Sequence, residues 1–266
     1  MDWMNIIAAV LSLGLMGLLF GAVLAVASRV FEVKTDERIP QIIESLPGAN
    51  CGGCGFAGCS AYANAIVEGK AGCGCCPVGG EETAKKIAGI MGLTAEKQTR
   101  MCAAVHCCGT ESAAAKKYTY RGIGDCNAVM RLGGGEKACP YSCTGLGNCA
   151  RACKFDAMHI VDGVACVDRA KCTACGMCVA SCPKGLVELV PYDNPYYVGC
   201  SNRDKGVLTK NDCTVGCIAC RMCEKACEQD AIHVIDNRAR IDYHKCIGCG
   251  ACAEKCPKKI IRTAGK

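Results

Sequence analysis

Cysteine content is the feature that most constrains how this chain folds. The chain has 29 cysteines among 266 residues, about 11%, whereas aromatic residues make up only 5%. So few large side chains cannot fill a hydrophobic core as large as the chain length would allow. Cysteine at this density indicates either disulfide bonds or bound metal, and an odd number would leave at least one thiol outside any disulfide.

The N-terminal segment predicts a membrane-spanning helix over residues 1–30. No residue from Trp3 to Ser28 is charged, and at about 1.5 Å per residue this run is long enough to cross a hydrocarbon layer of ~30 Å. A cleaved signal peptide is the alternative, because Ala25-Val26-Ala27 resembles a cleavage site, but no basic region precedes the apolar run. Basic residues follow it from Arg29 onward, which predicts that the rest of the chain is cytoplasmic. Because that compartment is reducing, metal is favoured over disulfides.

The first group of cysteines is typical of an iron–sulfur site. Its spacing is C-x2-C-x4-C-x16-C, at Cys51, Cys54, Cys59 and Cys76. Four thiolates in a compact, glycine-rich segment suit a 4Fe–4S cluster. Zinc is the alternative, although four-cysteine zinc sites usually use two separated C-x2-C pairs. Cys73 and Cys75 crowd the fourth position, where the spacing favours Cys76. Short helices are predicted on either side, over 61–68 and 81–91.

An internal repeat of 74 residues organises the rest of the chain. Eight cysteines recur without a gap: Cys139, Cys143, Cys149, Cys153, Cys172, Cys175, Cys178 and Cys182 correspond to Cys213, Cys217, Cys223, Cys227, Cys246, Cys249, Cys252 and Cys256. Cys126 corresponds to Cys200 in the same way. The pattern indicates a tandem duplication of one metal-binding module.

The second half of each repeat reads C-x2-C-x2-C-x3-C-P, and the later repeat has a further such cysteine run that begins at Cys217. These runs are typical of two-cluster bacterial ferredoxins, in which the fourth cysteine binds the other cluster. The later repeat is therefore expected to hold two clusters. One would use Cys217, Cys220, Cys223 and Cys256, and the other Cys227, Cys246, Cys249 and Cys252.

The earlier repeat departs from this pattern, because Leu146 stands where the later repeat has Cys220. We expect Cys139 to substitute, four residues before Cys143. One cluster would then use Cys139, Cys143, Cys149 and Cys182, and the other Cys153, Cys172, Cys175 and Cys178. Exchange of the fourth ligand ties the two halves of a module together. Cys213, the counterpart of Cys139, is either redundant or serves elsewhere.

Short apolar stretches between the cysteine runs predict the fold class. The stretches 158–161 and 232–235 are each followed by turn residues and a second apolar stretch, as in a β-hairpin. His159 and His233 are expected to be polar strand residues rather than ligands. The predicted fold is α+β, with one N-terminal transmembrane helix, a small helical 4Fe–4S domain and two tandem ferredoxin-like two-cluster modules. The expected boundaries are 1–30 for the helix, 31–45 for a linker, 46–100 for the N-terminal domain, 101–135 for a connector, 136–190 for the first module, 191–212 for a linker and 213–266 for the second module.

The remaining cysteines leave two possibilities open. Cys102, Cys107, Cys126 and Cys200 either hold a sixth cluster or are thiols without metal. Cys108 and Cys166 are expected to be small apolar residues. No P-loop and no G-x-G-x-x-G after a strand is present, so no flavin, NAD or other nucleotide site is expected in this chain.

The motifs together resemble the B-subunit family of the Rnf complexes, the ion-translocating ferredoxin:NAD oxidoreductases of bacterial membranes. The resemblance covers essentially the whole chain and includes GANCGGCGFAGC, CAAVHC and YSCTGLGNCARACKFDAMHI. It implies a component of the cytoplasmic membrane that accepts electrons from soluble ferredoxin and passes them to other membrane and peripheral subunits, with no nucleic acid as partner. It also implies that a different subunit reduces NAD and that the complex transports Na⁺ or H⁺.

The residues themselves predict outer-sphere electron transfer, with no substrate bond made or broken in this chain. Two alternatives are an electron-transfer subunit of another membrane reductase or hydrogenase, and an assembly protein whose metals are structural. The formal charge of +6 counts every thiol as neutral; five oxidised clusters of about −2 each bring it to about −4. Docking of an acidic ferredoxin would therefore rest on local basic residues, which are otherwise a solvated face. The candidates are Arg203, Lys205, Lys245, Lys255, Lys258 and Lys259.

Overall fold

A computed structural model describes residues 3–30, 36–94 and 99–263 of the chain. Helices and strands are mixed along the sequence, as expected for an α+β chain. The helices are α1 Trp3–Val30, α2 Arg38–Ser45, α3 Cys59–Val67, α4 Gly80–Met91, α5 Cys126–Arg131, α6 Asn148–Ala152, α7 Met177–Ala180, α8 Gly206–Asp212, α9 Met222–Lys225 and α10 Ala251–Glu254. The strands are β1 Met101–Val105, β2 Met158–Val161, β3 Val164–Val167, β4 Val187–Pro191, β5 Tyr196–Val198, β6 Ile232–Ile235, β7 Arg238–Ile241 and β8 Ile261–Thr263.

Helix α1 is a single apolar helix of 28 residues. Its stretch Val10–Arg29 is long and apolar enough to cross a membrane. Large side chains such as Leu11 and Leu18 are exposed in the isolated chain, at 67% and 74%. Apolar side chains exposed along a whole helix are typical of a helix that packs against lipid or another apolar surface. The predicted N-terminal helix is confirmed, although Met1 and Asp2 lie outside the described residues.

Helices α2, α3 and α4 pack together around a small hydrophobic core. Ile42, Tyr62, Ile66 and Ile87 meet at its centre and are almost fully buried. The helices predicted over 61–68 and 81–91 are found as α3 and α4. Helix α2 lies within the segment expected to be a linker, because its isoleucines fall on one face and bury against α3 and α4.

Two β-hairpins confirm the strands predicted between the cysteine runs. Strand β2 pairs antiparallel with β3, and β6 pairs with β7, in equivalent registers 74 positions apart. The turn residues Asp162 and Gly163 have φ of 47° and 70°, and Asp236 and Asn237 have φ of 51° and 58°. Two consecutive positive φ angles are the signature of a type I′ turn, which matches the twist of a two-residue hairpin.

Two further strand pairs join parts of the chain that are distant in sequence. Strand β1 pairs antiparallel with β4, and β5 pairs antiparallel with β8. Strand β1 lies in the expected connector and β5 in the expected second linker, so both segments contribute a paired strand to the fold. The first pair attaches the connector to the earlier repeat, and the second attaches residues before the later repeat to its final residues.

Among the described residues, the buried apolar groups form three separate small cores, and thiols take part in each one. Cys76 belongs to the core under α3, Cys149 and Cys178 to the core of the earlier repeat, and Cys217 and Cys223 to that of the later repeat. Since each core is small, the cysteines supply much of what would otherwise be apolar packing.

Tyr62 provides a test of how the N-terminal core holds the segment 73–76. Its hydroxyl donates to the Gly72 carbonyl at 2.7 Å and accepts the Cys75 N–H at 3.0 Å. We expect Tyr62→Phe to lower the free energy needed to open this segment by about 1–1.5 kcal/mol. The exchange rate of the Cys75 amide should therefore rise roughly five- to tenfold. Hydrogen–deuterium exchange of the 70–76 peptide measures it.

Tyr118→Phe is the matched control. The Tyr118 hydroxyl also donates to a carbonyl, that of Leu132 at 3.2 Å, but the residue is 38% exposed. Water can replace this bond, so exchange in its neighbourhood should hardly change. Equal effects of the two substitutions would contradict the role given to Tyr62.

Candidate iron–sulfur sites

Three of the four predicted N-terminal cysteines, Cys54, Cys59 and Cys76, lie close together. Cys76 is buried, and burial raises the pKa of its thiol, with the nearby thiolates of Cys54 and Cys59 adding to the effect. The Gly79 N–H donates to the Cys76 sulfur at 3.4 Å. Cys75, by contrast, is exposed. Among the three candidates for the fourth position, Cys76 is thus the one beside the other thiols of the group.

The ferredoxin-like run of the earlier repeat brings together Cys172, Cys175, Cys178 and Cys153 around a cavity of about 340 Å³, part of which is open to solvent. Burial, followed by the neighbouring thiolates of the other three, raises the pKa of Cys178 to about 11. The Ala157 N–H donates to the Cys153 sulfur at 3.4 Å. This is the group of four that the crossed ligand pattern predicts.

The later repeat contains two such groups. Cys217, Cys220, Cys223 and Cys256 line a cavity of about 330 Å³, and burial together with the Cys217, Cys256 and Cys220 thiolates raises the pKa of Cys223 to about 12. In the second group, burial together with the Cys246, Cys227 and Cys249 thiolates raises the pKa of Cys252 to about 11. Both sets match the expected exchange of the fourth ligand between the two halves.

In the earlier repeat, the structure differs from the expected group of Cys139, Cys143, Cys149 and Cys182. Burial, followed by the thiolates of Cys143, Cys182 and Cys126, raises the pKa of Cys149 to about 12. Cys139 instead lies beside Cys107 and Cys213. The thiol that lies beside Cys149, together with those of Cys143 and Cys182, is therefore that of Cys126 and not that of Cys139.

Asn148 explains why Cys126 reaches this position. Its side-chain oxygen accepts the Cys126 N–H at 2.9 Å, and its side-chain nitrogen donates to Asp125 at 3.0 Å. Asp125 in turn caps α5, which begins at Cys126, by accepting two backbone N–H groups. The hydroxyl of Thr144 donates to the Cys126 sulfur at 3.2 Å. The later repeat has Met222 where Asn148 stands, so the counterpart Cys200 has no such support.

The four cysteines expected for a sixth cluster do not come together. Cys102, on β1, lies against Cys172 and is the largest influence on its thiol, whose pKa it lowers to about 6. Cys126 lies beside Cys149. Cys107 and Cys200 line a different cavity. The spacing of the cysteines in the sequence does not reveal that these four lie apart, because the position of Cys102 depends on the pairing of β1 with β4.

The backbone around the cysteine runs is shaped to receive an anion. Ala174, Ala219 and Arg221 adopt positive φ angles of 55–58° although they are not glycines. Such strained positions cluster at functional sites. Alternation of left- and right-handed residues makes successive N–H groups point inward, a geometry found around phosphates and Fe–S clusters. These backbone positions therefore fit the predicted clusters.

Burial and neighbouring thiolates raise the pKa values of Cys149, Cys178 and Cys223 to about 11 or 12, so these thiols favour the protonated form near pH 7. To act as ligands they would have to lose their protons, and iron would supply the positive charge that favours this loss. No three His, Cys, Asp or Glu side chains of the described residues converge tightly enough for a single ion. A zinc ion needs its sulfur ligands about 2.3 Å from one point, whereas a 4Fe–4S cluster binds each thiolate at a separate iron.

His159 and His233 lie on β2 and β6, as expected for polar strand residues. The Nε2 atom of His159 lies 3.1 Å from the Asp156 carbonyl oxygen, and the same distance separates His233 from the Asp230 carbonyl oxygen. The repeat thus preserves their hydrogen bonding as well as their position.

Two family models match this chain. One describes an Fe-S cluster and matches residues 46–78. The other describes a 4Fe-4S dicluster domain and matches residues 216–260. The matched stretches contain the N-terminal group of cysteines and the later repeat.

Full-length relatives are similar over nearly the whole chain. The B subunit of the Na⁺-translocating ferredoxin:NAD⁺ oxidoreductase complex of Acetobacterium woodii is 48% identical over 94% of this chain and 75% of its own length. The B subunit of the ion-translocating oxidoreductase complex of Methanosarcina acetivorans is 41% identical, over 92% and 94%. The B subunit of the proton-translocating ferredoxin:NAD⁺ oxidoreductase complex of Clostridium ljungdahlii is 37% identical, over 97% and 93%. The chain therefore belongs to the B-subunit family of the ion-translocating ferredoxin:NAD⁺ oxidoreductase (Rnf) complexes.

Proposed function

We propose that this chain is the membrane-anchored polyferredoxin subunit of an Rnf-type complex, which takes electrons from reduced ferredoxin and relays them to membrane subunits. The observation that carries the proposal is the succession of five convergent thiol groups between an exposed end and the N-terminal segment. When bound, each 4Fe–4S cluster supplies one-electron transfer, in which one cluster is oxidised, its neighbour is reduced and no covalent bond of a substrate changes.

Five ligand sets follow from the thiol groups described above. They are Cys51, Cys54, Cys59 and Cys76; Cys126, Cys143, Cys149 and Cys182; Cys153, Cys172, Cys175 and Cys178; Cys217, Cys220, Cys223 and Cys256; and Cys227, Cys246, Cys249 and Cys252. The second set replaces Cys139 by Cys126. Backbone N–H groups that donate to these sulfurs stabilise the reduced, more negative clusters and raise their potentials.

The proposed domains keep the expected order. A spanning helix in 1–30 is followed by the N-terminal 4Fe–4S domain, which we extend to include α2, and by two ferredoxin-like modules around 136–190 and 213–266. The equivalent hairpins and equivalent cysteine groups of the two repeats support tandem two-cluster modules. Arg29 after the apolar run supports a cytoplasmic location for the modules.

The N-terminal domain and the first module touch through backbone. A Cβ on Gly53 would lie 2.8 Å from the carbonyl oxygen of Cys175, so only glycine allows this approach. The Cys51 thiolate also lies near Cys175. This contact supports electron transfer between the cluster of the N-terminal domain, which follows the membrane helix in sequence, and a cluster of the first module.

The opposite end of the relay is exposed. Cys249 is exposed, and the neighbouring Ile247 is 68% exposed. Lys245 and Lys255, which precede ligand cysteines, are exposed as well. An acidic ferredoxin could dock here with its own cluster close to Cys249, since positive side chains around an apolar contact favour its approach.

The relay is tested with the anaerobically purified complex. Iron and acid-labile sulfide should be present in near-equal amounts, and reduced ferredoxin should reduce the clusters as followed by EPR. Zinc in place of iron, or clusters that ferredoxin does not reduce while dithionite does, would contradict the function proposed.

The fourth ligand of the second set is tested by combining substitutions. Cys149→Ala should remove about four iron atoms per chain. Cys126→Ala alone should remove a similar amount. Because both residues belong to the same set, the double variant should lose no more iron than either single variant, by anaerobic iron determination.

Cys139→Ala combined with Cys149→Ala is the matched comparison: because Cys139 lies outside this set, any iron that Cys139→Ala removes should add to the loss caused by Cys149→Ala. No iron loss from Cys126→Ala alone, together with a loss from Cys139→Ala that does not add to that of Cys149→Ala, would restore Cys139 to the set. Cys166→Ala, at an exposed position on β3, controls for the loss of a thiol as such.

Charge reversal tests the docking end. Lys245→Glu with Lys255→Glu should slow reduction by ferredoxin about tenfold at low salt, and the difference should shrink as salt is raised. Stopped-flow absorbance measures the rate. Lys70→Glu with Lys85→Glu, on the N-terminal domain, carries the same change in charge and should leave the rate nearly unchanged. An equal slowing by both pairs would show that only the total charge matters.

A further inference from the structure

We propose that Cys107, Cys139, Cys200 and Cys213 form a sixth 4Fe–4S site, which lies between the two modules. The proposal deepens the electron relay and rests on it for its purpose, whereas the site itself stands on the arrangement of these four thiols. None of the four belongs to the five ligand sets given above.

The four cysteines, together with Cys108, line one cavity of about 340 Å³ that is partly open to solvent. Its size matches the cavities of about 340 and 330 Å³ lined by two of the ferredoxin-like ligand sets. Three of the four residues are buried, with 7% exposure for Cys139, 9% for Cys200 and 7% for Cys213. Cys107 is half-buried and its thiol neighbours both Cys139 and Cys213.

Four different parts of the chain supply the thiols. Cys107 follows β1 and Cys200 follows β5, so the two strand pairs that join distant segments also determine where these thiols lie. Cys213 directly follows α8 and forms an antiparallel bridge with Ala114. Because these supports are long-range, no spacing in the sequence reveals the group.

Hydrogen-bond donors point at the sulfur atoms, as they do in the five other groups. The Cys143 N–H donates to the Cys107 sulfur at 3.3 Å, and the Cys217 N–H donates to the Cys200 sulfur at 3.3 Å. The side-chain amide of Asn202, which is 2% exposed, donates to the Cys139 sulfur at 3.4 Å. A buried amide directed at a thiol fits a sulfur that carries negative charge.

Lys137 supplies a second, independent reason to expect an anion here. Its side chain is buried, with 4% exposure for the residue, and its ammonium donates to the carbonyls of Gly109 and Gly163 at 2.7 Å each. Among the residues that the structure describes, no carboxylate forms an ion pair with it. The thiols of Cys213 and of the proposed ligand Cys143 both lie within its electrostatic range, and Gly109 contacts the same cavity as Cys213. A buried charge needs a counter-charge, which an anionic cluster provides.

The location explains what the site contributes. Cys143 and Cys217, whose N–H groups donate to its sulfurs, are themselves proposed ligands of the first and second modules. The sixth site therefore lies next to one proposed cluster of each module, in the space that separates these two clusters. The relay becomes one continuous line from the exposed Cys249 to the N-terminal domain.

The test uses the full complex, purified anaerobically, with Cys107→Ala and Cys213→Ala combined. Two remaining thiols cannot hold a cluster, so the chain should lose about four iron and four sulfide and keep the other clusters. The matched control is Cys108→Ala with Cys166→Ala, which removes two thiols, one of them adjacent to Cys107, and should lose none. Unchanged iron in the first variant, equal loss in the control, or zinc at this site would overturn the proposal.

Asn202→Asp provides a second measurement if the double variant fails to fold. The substitution keeps the shape but replaces a donor to the Cys139 sulfur by a carboxylate, so one reduction potential should become more negative with no iron lost. Asn237→Asp, which changes an amide that donates to the Arg203 carbonyl, is the control. If Asn202→Asp leaves every reduction potential unchanged, the proposed sixth site is wrong. The outcome is separate from that of the relay, because a failure of ferredoxin to reduce the unaltered protein would leave both iron and potential readouts intact.

Discussion

Buried thiols that must carry negative charge are the constraint on which the rest of this structure depends. Each of the three small cores contains cysteine side chains whose burial disfavours the thiolate. Iron would offset that cost, so we expect cluster binding and folding to be coupled, as they are in other small metal domains. The hairpins, short helices and strained loop residues then serve mainly to direct sulfur atoms and backbone N–H groups toward common points. Apolar packing, which holds most domains of this length together, has a supporting role.

Local features of the fold could be predicted from the sequence, whereas its long-range features could not. The hairpins follow from apolar stretches around Asp162-Gly163 and Asp236-Asn237, because a two-residue turn leaves the chain little choice. The pairing of β1 with β4 joins segments more than eighty residues apart, and nothing in the five residues of β1 indicates its partner. The same distinction applies to the ligands. Spacing alone predicts the groups built on C-x2-C-x2-C runs because their cysteines are close in sequence, while the choice of Cys126 over Cys139 depends on a hydrogen bond to Asn148.

Equivalent cysteines of the two repeats have different surroundings. Cys126 and Cys200 occupy the same position in the two repeats, as do Cys139 and Cys213. In the earlier repeat, which has Leu146 in place of a cysteine, Cys126 lies beside Cys149 and is supported by Asn148. In the later repeat Cys220 makes such a substitute unnecessary, which frees Cys200. A repeat with one cysteine too few and a repeat with one too many thus supply, between them, the thiols for the proposed bridging site.

The crossed ligands bear on how the protein is made. Cys182 and Cys256 complete thiol groups whose other members come at least thirty residues earlier, and β8, which pairs with β5, is the last described strand of the chain. Cys182 and Cys256 are synthesised after the other members of their groups, so the proposed groups begun by Cys126 and Cys217 stay open while translation of their repeats continues. The N-terminal domain contains all of its ligands within residues 51–76 and can close much sooner. Cluster insertion would therefore proceed from the membrane outward, and a chain that stops short of Cys256 would leave the ribosome with its terminal module unable to mature.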